Sequence, residues 1–337
     1  MSNQPPIEVP QGAIRLNTDS QKLEFFAQDR WYEMATNTQV LDGGVGRGLS
    51  AGGLTPDTSD VIEYITIPTQ GNAIDFGNLT SATQDWPGGT GSSTRGVIGG
   101  GKRPPSTTDA IDFITFSSTG NASDYGDLSV ARRQIAGTGN QTRGVFSGGE
   151  APSHVNVIDF MTIASTGNAV DYGDLSVARR LSTAASSPTR AVIMGGYASP
   201  ASLNSIEFLT ISTTGNASDF GDLTVDRYPS NGSVSSSTRA VAMGGYKFSP
   251  NAAQSTIDYV TIATRGNATK FGDLTEVMYA AQSVSDSIRG VRMGGVTPLD
   301  DSMDYINIST EGNAVFFGDL LSVHKEGGGL SNAHGGL

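Results

Sequence analysis

Short segments rich in β-branched and aromatic residues recur along the whole chain. "VIEYITI", "IDFITF", "IEFLTI" and "IDYVTI" carry apolar side chains at both odd and even positions. Each therefore predicts a β-strand that is covered on both faces. Steps rich in Gly, Ser, Asn and Pro separate these segments and favour turns. The pattern predicts an all-β protein built from small sheets.

Two markers show that the segments belong to a repeat. An Arg followed by Gly or Ala opens a segment that ends in Gly-Gly, and a Gly-Asn step follows further along. The arginines are Arg47, Arg95, Arg143, Arg190, Arg239 and Arg289. The Gly-Asn steps begin at Gly71, Gly120, Gly167, Gly215, Gly266 and Gly312, which are 49, 47, 48, 51 and 46 residues apart. Both markers give six copies.

One copy of the repeat contains four predicted strands. "RRLSTAASS" through "TRAVIMGG" gives two, "NSIEFLTIS" gives the third and "ASDFGDLT" gives the fourth. The "TGNA" between the last two predicts a tight two-residue hairpin turn, because Gly and Asn tolerate positive φ. Four-stranded sheets at this period need neighbours on both faces. The chain is therefore predicted to form a six-bladed β-propeller of four-stranded antiparallel blades.

The last residues of the chain suggest how the ring closes. "SVHKEGGGLSN" aligns with "SVARRQIAGTGN", so the end of the chain repeats the first strand of a blade. We expect this strand to pair with blade-one strands from the front of the chain. In the alternative, "TQVLDGGV" supplies that strand and the tail is a flap.

Residues 1–36 stand apart from the repeats at 37–337. They predict three short strands, at 13–16, 23–27 and 31–34. A three-stranded meander of this length is marginally stable alone. We therefore expect this segment to dock on the propeller or on other subunits.

Composition excludes several classes of function. The chain has no cysteine, which excludes disulfides and thiolate chemistry. A formal net charge of -12 opposes extended contact with nucleic acid or an anionic membrane. No apolar run approaches the length of a membrane span, and the N-terminus lacks the apolar region of a secretory signal.

One acidic residue recurs per repeat, one strand after the recurring arginine. These residues are Glu63, Asp112, Asp159, Glu207, Asp258 and Asp304. They could form a ring of carboxylates that holds a cation in the axial channel. We favour the alternative that each pairs with the recurring arginine of its own or the neighbouring blade, because six acids alternating with six arginines balance charge locally.

A second set of acids follows the aromatic-Gly step of the fourth strand. Asp127, Asp174, Asp222, Asp273 and Asp319 hold this position, with Asn78 in the first copy. The acid three residues earlier is replaced by Lys270 and Phe316 in the last two copies. Such replacements argue against a metal site, and we expect side chains such as that of Asp127 to accept backbone N–H bonds instead.

Signatures of catalysis are lacking in the sequence. His154, His324 and His334 are scattered and do not have metal-ligand spacing. Neither a Walker loop nor a G-x-S-x-G elbow occurs. We therefore predict no catalytic residue, no metal and no cofactor.

The segments after each Gly-Gly differ in length and charge, and their equivalent position places them on one rim of the propeller. Variable loops on a rigid scaffold often carry binding specificity. The alternative is that they are ordinary solvated turns. The candidate binding residues are Lys102, Arg103, His154, Tyr197, Tyr246, Lys247, Phe248 and Asp300.

The order of these features resembles the kelch repeat: an Arg-led strand ending in Gly-Gly, a variable loop, an aromatic strand and a hairpin. The late tryptophan of kelch repeats is replaced here by Phe76, Tyr125, Tyr172, Phe220, Phe271 and Phe317.

The N-terminal segment resembles a module of bacteriophage tail and fibre proteins with the pattern G-x-(I/L)-R-x-N-T, an aromatic strand and a closing tryptophan strand. The matching residues are Gly12, Ile14, Arg15, Asn17, Thr18, Leu23, Phe25, Phe26, Trp31 and Glu33.

Together the two resemblances imply a virion structural protein of the tail, fibre or neck, without enzymatic activity. Its partners would be other virion proteins, further copies of the chain within the particle, and a host-surface glycan or receptor. The attachment residues would be Ile14, Arg15, Phe25, Phe26 and Trp31. The alternative is a carbohydrate-active propeller enzyme or a lectin-like glycan-binding protein.

Overall fold

The structure is a computed structural model that describes Pro10 and residues 12–17, 22–28, 30–33 and 46–337. The chain divides into two compact units, Met1–Asp42 and Gly43–Leu337. All regular elements of the described part are β-strands. The predicted domain boundary between residues 36 and 37 lies outside the described residues.

The N-terminal unit is a meander of three antiparallel strands, as predicted. The strands are β1 (Ile14–Asn17), β2 (Lys22–Ala27) and β3 (Arg30–Glu33), with β2 in the centre. The rings of Phe26 and Trp31 pack edge to face at 5.3 Å between centroids. The guanidinium of Arg15 lies 4.1 Å above the Trp31 ring and binds Glu24 at 2.8 Å. These contacts join side chains of all three strands of the meander.

The second unit contains six four-stranded antiparallel sheets, which confirms the six-bladed propeller. Blade 1 contains β4 (Arg47–Ala51), β5 (Leu54–Thr55), β6 (Asp57–Thr58), β7 (Val61–Thr66) and β8 (Ile74–Asn78). Blade 2 contains β9 (Gly88–Gly91), β10 (Arg95–Gly99), β11 (Lys102–Arg103), β12 (Ser106–Thr107), β13 (Ala110–Thr115) and β14 (Ser123–Asp127). Blade 3 contains β15 (Ala136–Gly139), β16 (Arg143–Ser147), β17 (Val157–Thr162) and β18 (Val170–Asp174).

The remaining blades follow the same order. Blade 4 contains β19 (Thr183–Ser186), β20 (Arg190–Met194), β21 (Tyr197–Ala198), β22 (Ala201–Ser202), β23 (Ser205–Thr210) and β24 (Ser218–Asp222). Blade 5 contains β25 (Ser233–Ser235), β26 (Arg239–Lys247), β27 (Ala252–Thr261) and β28 (Thr269–Met278). Blade 6 contains β29 (Gln282–Ser285), β30 (Arg289–Gly295), β31 (Asp300–Asn307) and β32 (Val315–Asp319). The two-residue strands form small hairpins in the variable loops.

The last strand of the chain closes the ring. β33 (Gly328–Ser331) pairs antiparallel with β4, with Leu330 opposite Leu49. Blade 1 therefore takes its innermost strand from the C-terminal segment and its other three strands from the front of the repeats. This confirms the predicted pairing, in which hydrogen bonds rather than a covalent link close the propeller.

The hydrophobic core lies between neighbouring blades. One of its six clusters joins Val145, Ile158 and Tyr172 of blade 3 to Ile193 and Leu209 of blade 4. Since each sheet buries apolar side chains on both faces, the strands show the non-alternating pattern noted in the sequence. The prediction that both faces are covered is confirmed.

The Gly-Asn step is not a tight hairpin turn, so that prediction is wrong. In blade 4 the third strand ends at Thr210 and the fourth begins at Ser218, which leaves a connection of residues 211–217. The backbone N–H groups of Gly215 and Ala217 donate to the carbonyls of Tyr172 and Asp174, each at 2.8 Å.

Asn216 completes this contact, because its side-chain oxygen accepts from the backbone N–H of Asp174 at 3.1 Å. The segment thus pairs with the outer strand of the preceding blade, whose edge would otherwise be unpaired. We call it the Gly-Asn-Ala clasp. Equivalent clasps lie at 71–73, 120–122, 167–169, 266–268 and 312–314.

The clasp explains why a glycine follows the aromatic residue of the fourth strand in every copy of the repeat. Gly173 has a φ of 144°, and a Cβ there would lie 2.6 Å from the carbonyl carbon of Gly215. Glycine is required because two backbones meet at this point. At Asp127 it is the backbone N–H that donates, and the acceptor is the side chain of Asn168. The acceptor role predicted for the Asp127 side chain is therefore taken by the asparagine of the clasp.

The recurring arginines do not pair with the recurring acids, so the predicted ion pairs are wrong. Arg190 lies opposite Thr210, whereas Glu207 lies opposite Ile193, three residues along the strand. Three residues separate positions on a strand by about 10 Å, so the two charges sit at opposite ends of the blade. The arginine and the acid therefore make different contacts between blades.

Each recurring arginine lies over an aromatic ring and donates to the following blade. Arg190 lies 4.5 Å above the Phe208 ring and donates to the Ile262 carbonyl at 2.7 Å. Arg47, Arg95, Arg143, Arg239 and Arg289 repeat this arrangement with Tyr64, Phe113, Phe160, Tyr259 and Tyr305. The arginine therefore stacks within its own blade and binds the next one.

The recurring acids hold the links, by which we mean the segments that lead from the outer strand of one blade to the innermost strand of the next. Asp159 binds Arg132 of the preceding link at 2.8 Å, and neither side chain is exposed. It also accepts from the backbone N–H and the hydroxyl of Ser129. Glu207 and Asp258 bind link arginines in the same way, whereas Asp112 and Asp304 bind Arg103 and Arg292 of their own blades.

Candidate ligand-binding face

Six pairs of residues form a ring on the face of the variable loops. In each blade the residue after Gly-Gly forms a β-bridge with a link residue that lies just before the innermost strand, next to the axis. The pairs are Leu54 with Lys325, Lys102 with Gln84, Glu150 with Arg133, Tyr197 with Arg180, Tyr246 with Tyr228, and Val296 with Tyr279. We call these twelve positions the mouth ring. They are equivalent in the backbone, but their side chains differ from blade to blade.

Aromatic residues fill the sector of the mouth ring on blades 4 to 6. The ring centroids of Tyr197 and Tyr228 are 6.2 Å apart, those of Tyr228 and Tyr246 are 5.4 Å apart, and those of Tyr246 and Tyr279 are 4.9 Å apart. Phe248 of the adjoining loop extends the series, at 5.1 Å from Tyr197. We call these five residues the aromatic ladder.

The ladder keeps the phenol of Tyr228 neutral. Burial raises the pKa of Tyr228 to about 12, and the neighbouring Tyr246 and Tyr279 act in the same direction. The hydroxyl of Tyr228 therefore remains a hydrogen-bond donor at neutral and mildly alkaline pH. The ladder combines apolar ring surface with polar tips, as is common where proteins bind partners.

Paired charges fill the neighbouring sector on blades 3 and 4. The two carboxylate oxygens of Glu150 accept from Arg133 and from Arg180, each at 2.6 Å. Arg133 also binds Asp85 at 2.7 Å. Burial raises the pKa of Glu150, but the hydrogen bond from Arg133 and the charges of both arginines outweigh it and leave that pKa below its ordinary value. Glu150 is therefore an ionised, fixed carboxylate.

Arg180 joins the two sectors, because its guanidinium lies 5.3 Å from the centre of the Tyr197 ring. His154 packs edge to face against Tyr197, with 5.5 Å between the two ring centroids. The backbone N–H of Ser199 approaches the Nδ1 atom of His154 at 3.5 Å. Burial and the charge of Arg180 lower the pKa of His154, so the imidazole is neutral at pH 7.

An open groove of about 540 Å³ lies beside Tyr197, between the loops of blades 3 and 4. Carboxylate, imidazole and hydroxyl groups share its lining with small apolar side chains. The lining residues are Glu150, Pro152, Ser153, His154, Val177, Ala178, Ala198 and Ser199. Its volume is in the range of about 300–1,000 Å³ that is usual for small-ligand sites.

The structure brings half of the predicted binding residues together. His154, Tyr197, Tyr246 and Phe248 belong to the ladder and to the rim of the groove. Lys102 lies on the mouth ring in blade 2, opposite Gln84.

The other three predicted residues make contacts in their own surroundings. Lys247 binds Asp226 at 2.5 Å. Arg103 binds the buried Asp112 at 2.8 Å. Asp300 accepts from the backbone N–H and the hydroxyl of Ser302 in blade 6. The structure places Arg103 and Asp300 in roles that hold their own blades together.

Sequence reasoning missed Tyr228 and Tyr279 of the ladder and the ion-paired Arg133, Arg180 and Glu150. A signal was present in the alignment of the links. The residue after the Arg132 position is Gln84, Arg133, Arg180, Tyr228, Tyr279 or Lys325. This column varies from copy to copy, which is the same property that pointed to the variable loops.

The last residues of the chain lie against the ends of innermost strands. His334 reaches the carbonyl of Gly91 at 2.8 Å through Nε2, and its Nδ1 accepts from the N–H of Gly336 at 3.1 Å. A cavity of about 60 Å³ lies between the innermost strands and is lined by Ser, Thr and Gly residues together with small apolar side chains, Asn231 and His334. This is room for a few water molecules and not for a larger ligand.

In the N-terminal unit, four of the five predicted attachment residues have described side chains. Arg15, Phe26 and Trp31 pack against one another, whereas Ile14 is exposed. The side chain of Phe25 lies outside the described residues. Ile14 and Phe25 are register partners in neighbouring strands.

Metal-binding clusters and membrane-spanning helices are both absent from the residues that the structure describes. No three His, Asp or Glu side chains lie together in a way that could hold a metal ion. None of the described segments forms a helix long and apolar enough to span a bilayer.

No protein-family model matches the chain, and no curated protein matches its sequence. The mouth ring, the ladder and the groove are therefore interpreted from their own chemistry.

Proposed function

We propose that the chain is a non-enzymatic structural protein of a bacteriophage particle, in the tail, fibre or neck. Its N-terminal unit attaches to the particle, and the variable-loop face of its propeller binds a host-surface ligand. The observation that carries the binding role is the aromatic ladder, which runs across three blades on the one face where the repeats differ.

The ladder suits a binding surface because a rigid scaffold holds its rings in place. Aromatic side chains present a large contact area at a small cost in conformational entropy and dominate the energetics of many interfaces. Phe248, at 42 % exposure, is the most accessible ring of the series. The positions that hold the blades together are repeated six times, whereas the ladder occurs in one sector.

The state of Glu150 supports a binding role over glycoside hydrolysis. Glycosidases usually need two carboxylic groups, one of which is protonated to act as general acid. Glu150 is held ionised by two arginines, and the groove lining contains no other acid.

The N-terminal unit supports attachment because a three-stranded meander is marginally stable without a neighbour. Its exposed Ile14 is an apolar side chain available for such a contact. We propose other virion proteins and further copies of this chain as the neighbours, within an assembled virion.

The binding role is tested with the variant Tyr246→Ala/Phe248→Ala and the control Phe316→Ala. Phe316 is also exposed, at 53 %, but lies on the outer strand of blade 6. Fluorescently labelled full-length protein is incubated with a panel of bacterial strains, and binding is measured by flow cytometry. We expect a loss of at least tenfold for the double variant and none for Phe316→Ala. Equal binding by both variants would overturn the binding role, and so would turnover of a glycan panel that the double variant abolishes.

Attachment is tested with Trp31→Ala in the full chain. Trp31 contacts both Arg15 and Phe26, so its removal should disrupt the meander and leave the melting temperature of the propeller unchanged. We expect the variant to be absent from purified particles. Normal incorporation of a variant with a disrupted meander would contradict the proposed attachment.

A further inference from the structure

We infer that the groove between the loops of blades 3 and 4 binds one neutral hexopyranose unit of a glycan, with the glycan continuing onto Tyr197 and Phe248. This inference rests on the proposed function, because it assigns a ligand class to part of the same face. Three properties of the groove lead to it: its charge balance, its free hydrogen-bonding capacity and its mixed lining.

The charge balance disfavours an ionic ligand. Arg133 and Arg180 face the groove region from the links, and both bind Glu150. Asp85 supplies a second carboxylate to Arg133. The two positive and two negative charges are thus paired with one another, and His154 is neutral. An acidic sugar would have to compete with a carboxylate already in place, whereas a neutral one leaves these pairs intact.

The same groups retain capacity for hydroxyls. A carboxylate offers about four lone-pair sites, and each oxygen of Glu150 accepts one bond from an arginine. Because Nδ1 of His154 faces the N–H of Ser199, the ring proton belongs on Nε2, which can donate. Ser153 adds a hydroxyl to the lining. The groove therefore offers both acceptors and donors that carry no unpaired charge.

The groove lining also has an apolar part, which suits the C–H faces of a sugar ring. Val177, Ala178 and Ala198 add small apolar surfaces to the same lining. A pyranose has the same division into hydroxyl groups and C–H faces, and aromatic rings commonly stack on those C–H faces. Tyr197 is next to both the groove and Phe248, at 5.5 Å from His154 and 5.1 Å from Phe248. This contact gives a glycan leaving the groove a path onto the ladder.

The repeat supplies a matched pair of variants. Ala178 lines the groove two residues before Arg180, and Ala131 holds the same position in the link before, two residues ahead of Arg133. Ala178→Tyr would fill the groove, whereas Ala131→Tyr adds the same side chain at the equivalent place outside it. Both variants are made in the full chain, and their folding is checked by thermal melting.

The probes are the methyl glycosides of glucose, galactose, mannose and glucuronic acid, with binding followed by saturation-transfer NMR and titration calorimetry. We expect saturable binding of at least one neutral glycoside, at least tenfold weaker binding of the glucuronide, a loss of at least tenfold with Ala178→Tyr and no change with Ala131→Tyr. Tighter binding of the glucuronide, binding of none of the neutral glycosides, or an equal loss in both variants would overturn the inference.

The cell-binding experiment distinguishes a failure of the sugar-site inference from a failure of the proposed host-binding role. If Tyr246→Ala/Phe248→Ala abolishes cell binding while no neutral glycoside enters the groove, the ligand class is wrong and the binding face stands. If a neutral glycoside binds in the groove and cell binding does not depend on the ladder, the sugar site stands and the proposed host-binding role fails.

Discussion

The junction between blades 2 and 3 and the seam between blades 6 and 1 have the same backbone but different chemistry. At the junction, Arg132 of the link lies fully buried against Asp159. At the seam, the equivalent link residue is His324 and the equivalent acid is Glu63. Glu63 accepts the backbone N–H of Leu321 at 2.8 Å, but in the described part of the chain no arginine binds it.

The seam shows that the repeat does not need the ion pair to close. His324 instead lies 3.5 Å from the hydroxyl of Ser50, which accepts from Gln282 at 2.7 Å. Burial raises the pKa of Glu63 to about 7 and lowers the pKa of His324 to about 4. Near neutral pH the seam therefore contains a neutral imidazole and a partly protonated carboxyl group, where the other junction contains the buried Arg132–Asp159 ion pair. Substitutions at the junction and at the seam test this difference, and a substitution at a recurring arginine follows as the smallest expected effect.

Arg132→Ala should have the largest effect on stability. It leaves the fully buried Asp159 without its charge partner, and breaking a buried pair in this way costs about 3–5 kcal/mol of unfolding free energy. Arg133→Ala, one residue further in the same link, is the control, because this arginine is partly exposed. We expect the control to lose about 1 kcal/mol or less. Chemical denaturation measures both, and equal losses would mean that the buried pair does not stabilise the junction.

The groups at the seam should make the unfolding free energy depend on pH. The folded pKa of Glu63 lies above its ordinary 4.5, so the wild type loses stability as pH rises from 4.5 to 7. The folded pKa of His324 lies below its ordinary 6.5, so the wild type also loses stability as pH falls from 6.5 to 4. Each loss amounts to about 3 kcal/mol over its full range. Between pH 4.5 and 6.5 the two slopes are opposite and cancel.

Single substitutions at the seam separate the two slopes. Relative to wild type, Glu63→Gln should gain about 3 kcal/mol of unfolding free energy between pH 4.5 and 7, and His324→Gln should gain the same amount as pH falls from 6.5 to 4. Urea unfolding at six pH values measures these differences, and subtracting the wild-type curve removes the titration of the rest of the protein. Two variants whose curves run parallel to wild type would show that neither group titrates as described.

The sequence was sufficient to predict the number of blades and the four strands of each blade, whereas it left two candidates for the strand that closes the ring. These features follow from the repeat period and from the apolar pattern, which are local properties of the chain. The partners of the recurring arginines and acids could not be predicted in the same way. Arg190 and Glu207 recur with equal regularity, but the register places them at opposite ends of adjacent strands.

The candidate site shows the same limit. The variable loops pointed to His154, Tyr197, Tyr246 and Phe248, because differences between copies are visible in an alignment. Tyr228 and its equivalents in the links were missed, because their closeness to the loops arises from a β-bridge, which in five copies joins residues 17 or 18 positions apart. The link column varies between copies, but the variation alone does not show that these residues lie beside the loops, because that pairing is fixed by the fold.

Arg190→Ala, at one of the six recurring arginines, should have the smallest effect. Its guanidinium stacks on Phe208 and donates to the carbonyls of Ile262 and Ala263, at 2.7 and 3.0 Å. Loss of the stack and of these hydrogen bonds should lower the unfolding free energy by about 1–2 kcal/mol. Arg265 also lies 4.5 Å from the Phe208 ring, so Arg265→Ala removes a stacked cation from the same ring. If Arg265→Ala destabilises the propeller as much as Arg190→Ala in chemical denaturation, the carbonyl contacts to blade 5 add nothing, and the recurring arginine would act within its own blade alone.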